Sequence, residues 1–174
     1  MAEVHLALVL PVPRHGYEVK REHDAWFPKA RPLAFGQVYA TLGRLVRDGL
    51  AEVVEAPGAS GRKRTVYAVT DAGRVRLDAW LAEPAPPAGS GGEEMVRKVV
   101  VALRARVDAR DLLLAQRASH LRQMAALQAP VAGDGVAPRM ARRHAALHLD
   151  ADLRWLEETI EALPTETDLW EERS

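Results

Sequence analysis

The sequence has no cysteine, few aromatic residues and no long apolar run. None of its 174 residues is Cys, and Phe, Trp and Tyr together make up 5%. Without thiols the chain forms neither disulfides nor thiolate metal sites, so any metal would need His and carboxylate ligands. The longest apolar run, residues 6–12, is far shorter than the roughly 20 residues that cross a bilayer, and no basic segment precedes it as in a signal peptide. We therefore expect a soluble, cytoplasmic protein.

The chain also lacks a net charge, although its two halves differ in sign. Residues 1–82 hold 12 Lys and Arg against 9 Asp and Glu, a net +3, whereas residues 83–174 hold 12 against 15, a net −3. A basic half beside an acidic half is typical of a DNA-reading module joined to a helper module. The charge distribution therefore favours nucleic acid as a partner of the first half.

What the sequence does contain is material for helices. Hydrophobic residues make up 48% of the chain, and Ala, Leu, Val and Arg dominate, which favours a mainly α fold with little sheet. The segment 83–92 holds three prolines followed by three glycines, a composition that neither helix nor strand tolerates. We therefore predict two modules, 1–82 and 93–174, joined by a linker at 83–92.

The first module begins with three predicted helices, at 4–10, 15–26 and 35–48. Prolines follow the first two, and Gly49 supplies a left-handed stop just after the third. The third helix carries apolar residues at helical spacing along its whole length. Two short helices followed by a strongly amphipathic one are typical of a helix-turn-helix.

A hairpin and a fourth helix complete the first module. The β-rich segments 50–56 and 64–69 flank a loop that contains two glycines. Thr70 then caps a helix that runs to about residue 82. We expect its apolar stripe to consist of Val75, Leu77, Trp80 and Leu81. This element order predicts a winged helix-turn-helix with a small β-hairpin wing.

The second module is predicted to hold helices at 93–106, 109–127 and 137–163. The last one carries apolar residues that alternate by four and three, which is the spacing of a heptad seam. Such a seam requires a partner helix, either in a second copy of the chain or in the same chain. We expect a dimer contact formed by Leu149, Leu153, Leu156, Ile160 and Leu163.

The third helix separates its residues onto two faces. Its inward face carries Val38, Leu42, Leu45 and Val46. Its outward face offers an amide that can bond an adenine edge and guanidinium groups that reach guanine or phosphate. An ordinary solvated face is the alternative. The residues that we expect to contact DNA are Gln37, Tyr39, Ala40, Thr41 and Arg44, with Gly36 and Gly43 allowing close approach.

Three consecutive cations, Arg62, Lys63 and Arg64, follow Gly61 in the predicted wing loop. Cations at a flexible tip suit phosphate or minor-groove contact. A run of charge is usually a solvated surface, but beside a helix-turn-helix pattern it favours DNA contact. The wing and the third helix together predict a double-stranded DNA interface.

Four segments resemble the PadR family of transcription regulators in their order and spacing. They are HGYEVK at 15–20, FGQVYATLGRLVRDGL at 35–50, RTVYAVTDAGR at 64–74, and the linker with its helical tail. The resemblance implies a homodimer whose third helices enter successive major grooves of a palindromic operator, with half-sites about 34 Å apart. It also implies repression by promoter occlusion, with release by a small-molecule effector.

The resemblance assigns roles to single residues. Tyr39 matches the tyrosine early in the recognition helix, Arg44 the basic position one turn later, and Tyr67 the tyrosine of the wing strand. Gly16 and Tyr17 match a glycine-tyrosine pair for which we expect packing between helices. Many relatives carry proline after the recognition-helix tyrosine, where this chain has Ala40.

Other function classes find little support in the sequence. No phosphate loop, nucleophile elbow or dinucleotide fingerprint occurs, so we expect no enzyme and no cofactor. His144, His148 and Asp152 are spaced to share one helical face, but a polar face explains them, and we predict no metal site. Tryptophans offer stacking platforms for an effector, although core packing is their commoner role. The remaining alternative is a winged helix that binds a protein partner without binding DNA.

Overall fold

The computed structural model describes residues 2–28, 30–57, 63–87, 91–105, 107–129 and 135–163, except for the side chains of residues 56, 57, 63 and 91. These residues form seven helices and one two-stranded antiparallel sheet, which confirms a mainly α fold with a small hairpin. Every helix in these ranges is too short or too polar to cross a membrane. The elements are α1 (Ala2–Val9), α2 (Gly16–Trp26), α3 (Phe35–Arg47), β1 (Ala51–Pro57), β2 (Lys63–Val69), α4 (Asp71–Ala82), α5 (Gly91–Arg104), α6 (Arg110–Gln128) and α7 (Val136–Ala162).

The chain divides into two compact units. The first comprises Met1–Glu83 with Val100–Val107, and the second comprises Pro84–Val99 with Asp108–Ser174. The predicted modules divide the chain at 83–92, whereas these units also divide it within α5. Composition marks where the backbone is irregular, but it does not reveal where a continuous helix changes the core to which it contributes. The predicted domain bounds therefore stay a prediction.

Helix α1 is the centre of the first unit. Its residues from Glu3 to Val9 are all buried, because α2, α3, α4 and β2 all pack against it. A helix with apolar side chains on every face is stable in water only when other elements cover all of those faces. Its one carboxylate, Glu3, reaches the edge of the core, where Oε1 accepts a 2.7 Å hydrogen bond from Arg76 of α4.

Local signals determine where α2 and α3 begin and end. His15 caps α2, and Glu18 Oε2 accepts a 2.8 Å hydrogen bond from the His15 backbone N–H, which completes a capping box. Helix α3 ends at Arg47, and Gly49 follows with a φ of 71°, the left-handed conformation that glycine adopts without strain. The predicted glycine stop is therefore confirmed.

The hairpin pairs Ala51 with Val69 at its base and Pro57 with Lys63 near its tip. A backbone bridge between Arg14 and Tyr67 extends the sheet by one residue, with N–H···O distances of 3.0 and 2.9 Å. The Arg14 guanidinium also donates to the Leu8 carbonyl. These bonds attach the wing strand to the chain that connects α1 and α2.

Helix α4 begins as predicted, but its apolar face differs. Thr70 caps it by accepting a 3.1 Å hydrogen bond from the Gly73 N–H, and Leu77 and Leu81 are buried. Val75 is 69% exposed, so its place in the predicted stripe is wrong. The reason is the close approach at Gly73, where a Cβ would lie 2.0 Å from the Leu50 carbonyl oxygen. That approach turns the Gly73, Leu77 and Leu81 line inward.

In the second unit α6 packs against α7. Helix α6 carries two buried polar residues, Gln116 and His120. Gln116 accepts from the Ala85 N–H at 2.7 Å and donates to the Ala85 carbonyl at 2.8 Å. Its amide nitrogen lies 3.2 Å from Nδ1 of the buried His120, whose Nε2 lies 3.5 Å from an Asp152 carboxylate oxygen on α7. His120 Nε2 itself makes no hydrogen bond among the described residues. The paired hydrogen bonds of Gln116 with Ala85 anchor the stretch before α5 to α6.

Candidate nucleic-acid interface

The outward face of α3 is a strip of small residues bordered by cations. Gly36, Ala40 and Gly43 are exposed and follow one line along the helix, which ends at the exposed Arg47. A Cβ added at Gly36 or Gly43 would meet no atom within 4 Å. Arg44 is also exposed beside this strip. We call Gly36, Ala40, Gly43, Arg44 and Arg47 the α3 face.

The opposite side of α3 holds the helix in its unit. Val38, Leu42 and Leu45 are at most 1% exposed, as the two-face prediction requires. Thr41 is half-buried and lies toward this side, away from the middle of the α3 face. Thr41 therefore presents less surface to a duplex than the sequence pattern alone indicates.

Tyr39 is fixed by contacts with α2. Its ring lies edge-on to the His15 ring at 6.3 Å, and a Cβ at Gly16 would lie 2.6 Å from a Tyr39 ring carbon. Gly16 thus has no side chain because the tyrosine ring occupies that space, in agreement with the expected packing between helices. The Tyr39 side chain is nevertheless 40% exposed. Its ring is therefore structural, and its phosphate contact stays a prediction.

The Gln37 side chain already forms a hydrogen bond with the backbone at the start of its own helix. Its Oε1 accepts a 3.1 Å hydrogen bond from the Ala34 N–H, which satisfies one of the donors near the start of α3. A bidentate contact with adenine uses both the oxygen and the nitrogen of the amide. Such a contact by Gln37 therefore requires release of this cap.

Beside the start of α3, the ring of Tyr17, for which the family motif predicts packing between helices, pairs with Phe35, which the sequence reasoning did not single out. Tyr17 and Phe35 stack with ring centroids 5.8 Å apart and an interplanar angle of 15°, and Lys20 lies over the Phe35 ring at 5.4 Å. Both rings are exposed, at 57% and 45%. Tyr17 is the second residue of α2 and Phe35 is the first residue of α3. Their pairing depends on how the two helices pack, so no residue spacing in the sequence predicts it.

Of the three wing cations, the structure describes the side chain of Arg64. Arg62 and the side chain of Lys63 lie outside the described residues. Arg64 is exposed, and its guanidinium lies 3.2 Å from Glu18 Oε1 on α2. The wing arginine is therefore paired with a carboxylate of the same unit.

Two carboxylates near this interface have lowered pKa values. The pKa of Glu18 is lowered chiefly by the backbone hydrogen bond from His15, with the Arg64 charge adding to it. Burial raises the pKa of Asp24, but hydrogen bonds from Lys20 and the Leu33 N–H outweigh it, and the pKa falls below its ordinary value. Both groups are therefore ionised at neutral pH and hold α2 to neighbouring segments.

Two of the five residues in the predicted dimer seam on α7 are buried within their own unit. Leu149 and Leu156 are 2% and 0% exposed, so they have little surface left for a second chain. The other three seam residues, Leu153, Ile160 and Leu163, are half-buried. Since α6 packs on α7, Leu149 and Leu156 are covered within the chain, as the alternative reading of the seam expects, and the dimer contact itself stays a prediction.

Two exposed apolar stripes lie elsewhere on the same helices. On α6, residues at a spacing of four, three and four are all exposed: Leu114, Ala118, Leu121 and Ala125. On α7, Met140 and Leu147 are 52% and 51% exposed. The sequence reasoning missed these stripes, although the α6 spacing is the same heptad signal that drew attention to α7.

The family comparison matches the first unit. Residues 6–79, which run from α1 into α4, match the model of the "Transcriptional regulator PadR-like family". The chain is therefore similar to the PadR-like family over these residues, which lie in its first half. The resemblance expected from the motifs is thus confirmed, and the two tyrosines and the arginine assigned by it, Tyr39, Tyr67 and Arg44, all lie in the matched region.

Several solved structures are similar to this chain along most of its length. Bacillus subtilis PadR in complex with operator DNA is 19% identical, with 92% of this chain and 97% of that chain covered and a TM-score of 0.46. Bacillus subtilis PadR in complex with p-coumaric acid is 17% identical, with 91% and 92% covered and a TM-score of 0.42. The Vibrio cholerae virulence activator AphA is 23% identical, with 92% and 96% covered and a TM-score of 0.41. No curated protein matches the chain by sequence.

Proposed function

We propose that this PadR-like regulator is a homodimer that binds a palindromic operator through α3 and the wing and represses transcription by occluding a promoter. The observation that carries the proposal is the α3 face. A helix that met only water would gain about 1 kcal/mol of stability from alanine at each exposed glycine. Two such glycines in line with Ala40, beside Arg44 and Arg47, suit a helix that approaches a duplex closely.

Some residues of α3 contact base edges, and others contact the DNA backbone. Arg44 reaches a guanine edge, where a guanidinium bonds O6 and N7 together, and such a pair is worth about 1–3 kcal/mol of discrimination. Ala40 offers a methyl group to a thymine methyl. Tyr39 donates its hydroxyl to a phosphate, and Gln37 contributes its amide NH2 while its oxygen keeps the helix cap.

The wing supplies contacts that do not depend on sequence. Arg62 and Lys63 take phosphates or the minor groove, because adjacent cations next to a hairpin loop suit both. Arg64 joins them only by exchanging Glu18 for a phosphate, since these two side chains already form an ion pair. Replacement of Arg62 or Lys63 therefore weakens binding to all DNA, whereas replacement of Arg44 relaxes the choice of sequence.

The second unit provides the dimer contact. The α6 stripe and the exposed Met140 and Leu147 of α7 bury apolar surface against a second copy of the chain. Leu149 and Leu156 hold α7 to α6 and support this surface from within. A twofold dimer matches the symmetry of a palindromic operator. As a transcription regulator the protein would have no catalytic activity. We also propose that a small-molecule effector releases it from the operator.

A gel-shift titration tests the proposal. The protein is titrated against the DNA upstream of its own coding region and against a scrambled duplex, at two salt concentrations. Wild type should bind the upstream DNA selectively, as a dimer, and less tightly at the higher salt. Arg44→Ala should lose selectivity, whereas Arg74→Ala, which removes an exposed arginine from α4, should keep it.

The competing candidate is a winged helix that binds a protein partner. It predicts no DNA binding even at low salt and no effect of Arg62→Gln. Equal loss of affinity for both duplexes in the Arg44 and Arg62 variants would contradict the assignment of bases to α3 and phosphates to the wing. Weak, equal binding of wild type to both duplexes would contradict autoregulation and direct the search to other promoters.

A further inference from the structure

Two exposed histidines face each other on the outer surface of α7. His144 and His148 are one helical turn apart, and their Nε2 atoms are 3.0 Å from each other. The ring centroids are 4.3 Å apart, with an interplanar angle of 59°. The spacing of four residues alone is also compatible with an ordinary polar face, so the convergence of the two nitrogens is what the structure adds.

The nitrogen separation matches a chelate. With metal–nitrogen bonds of about 2.0–2.1 Å, two nitrogens 3.0 Å apart subtend roughly 94° at a shared ion. That angle is close to the 90° between neighbouring ligands in square-planar and octahedral complexes and smaller than the tetrahedral angle that zinc prefers. Imidazole ligands in a tetragonal arrangement are typical of Cu²⁺ and Ni²⁺.

We infer that His144 and His148 form a bidentate site for a divalent transition-metal ion of the Cu²⁺ or Ni²⁺ type. Each neutral imidazole donates the Nε2 lone pair, and water fills the remaining positions, because the described residues contain no group of three or more His, Cys, Asp or Glu suited to a metal. In the metal-free protein the same 3.0 Å separation suits an N–H···N hydrogen bond between the rings. When the ion binds, the donor ring changes tautomer so that its proton lies on Nδ1. Both Nε2 lone pairs are then free for the ion, which links two successive turns of α7.

The site is independent of the proposed DNA interface. Both histidines are exposed, so their replacement removes no core contact. They also lie outside the α3 face and the wing. Variants at these positions are therefore expected to fold. Because His144 lies between Met140 and Leu147 on α7, metal affinity and oligomeric state are both measured in the absence of DNA, which separates a failure of this inference from a failure of the proposed function.

A titration of the tag-free full-length chain with Ni²⁺ and then Cu²⁺ tests the site. Wild type should bind one ion per chain, and Cu²⁺ more tightly than Ni²⁺, in the order expected for divalent first-row metals. His144→Gln and His148→Gln should each lower the affinity at least about tenfold, since even partners behind a metal ligand change affinity 10–100-fold. The electron paramagnetic resonance spectrum of the Cu²⁺ complex should show two coupled nitrogens in wild type and one in each variant.

A matched control keeps the number of histidines constant. The double variant His148→Gln with Ala151→His places the second imidazole seven residues from His144 at an exposed position, beyond the reach of a chelate. It should bind as weakly as His148→Gln alone. Affinity in His148→Gln within twofold of wild type would overturn the inference, and so would full recovery in the double variant or an absence of Ni²⁺ and Cu²⁺ binding by wild type.

Discussion

Replacement of Gly43 by alanine should change stability and DNA affinity in opposite directions. A Cβ at this position meets nothing within 4 Å, and the residue is exposed in the interior of α3. The alanine should therefore raise the free energy of unfolding by about 1 kcal/mol and the melting temperature by roughly 2–4 °C. The same methyl group protrudes from the α3 face toward the proposed duplex. Overpacking of a close contact costs roughly 1–3 kcal/mol, so operator affinity should fall about tenfold, which corresponds to about 1.4 kcal/mol.

The assay combines urea unfolding, followed by circular dichroism, with fluorescence anisotropy on the operator at constant salt. Gly73→Ala is the matched control, because it makes the same chemical change in another helix of the same unit. There a Cβ would lie 2.0 Å from the Leu50 carbonyl oxygen and 2.8 Å from a Val69 methyl carbon. Since a backbone atom cannot move away easily, this variant should lose about 1–3 kcal/mol of stability.

Two results would refute the reasoning. If Gly43→Ala is more stable and binds the operator as tightly as wild type, then the α3 face does not need its small residues. If Gly73→Ala is as stable as wild type, then the close approach of α4 to Leu50 is not a constraint. A loss of stability in Gly43→Ala would contradict the open surroundings of that residue.

Two further predictions concern the dimer and the response to acid. Leu121→Glu places a charge in the α6 stripe and should convert the proposed dimer to monomer at micromolar concentration, as measured by analytical ultracentrifugation, with helical content unchanged by circular dichroism; an intact dimer would refute the stripe as the contact. Burial raises the pKa of Glu3, but a backbone hydrogen bond and Arg76 outweigh it, so the pKa falls below its ordinary value of 4.5. The stabilisation is then complete above about pH 4.5 and is lost as the pH falls through the lowered value, so Glu3→Gln should flatten the fall in unfolding free energy below pH 4.5. Equal acid sensitivity of the two proteins would contradict this.

Signals within one element were enough to predict most of the fold. The stop at Gly49 and the cap at Thr70 depend on residues adjacent to the helix end, and both occur as predicted. The buried line of Val38, Leu42 and Leu45 depends only on the period of a helix. For the same reason the order of helices and hairpin in the first unit was predictable from the sequence.

Contacts between distant residues were not predictable. Arg64 pairs with Glu18 across 46 positions of sequence, and no local pattern connects them. Val75 was expected to be buried, but the approach of Gly73 to Leu50 rotates α4 and exposes it. The heptad spacing on α7 predicts a partner helix, but it does not reveal whether that helix belongs to the same chain or to a second copy. The burial of Leu149 within one chain was therefore not predictable from the spacing.

The ion pair between Arg64 and Glu18 changes how many counterions this protein should release on DNA. Each phosphate that a free cation neutralises contributes about 0.9 to the slope of log affinity against log salt. Arg64 is already paired with a carboxylate before DNA arrives, so a phosphate that it binds must first displace Glu18 and leaves a new uncompensated anion beside the duplex. The measured slope should therefore be smaller than the number of arginines and lysines at the interface indicates, and Glu18→Gln should bring it closer to that number.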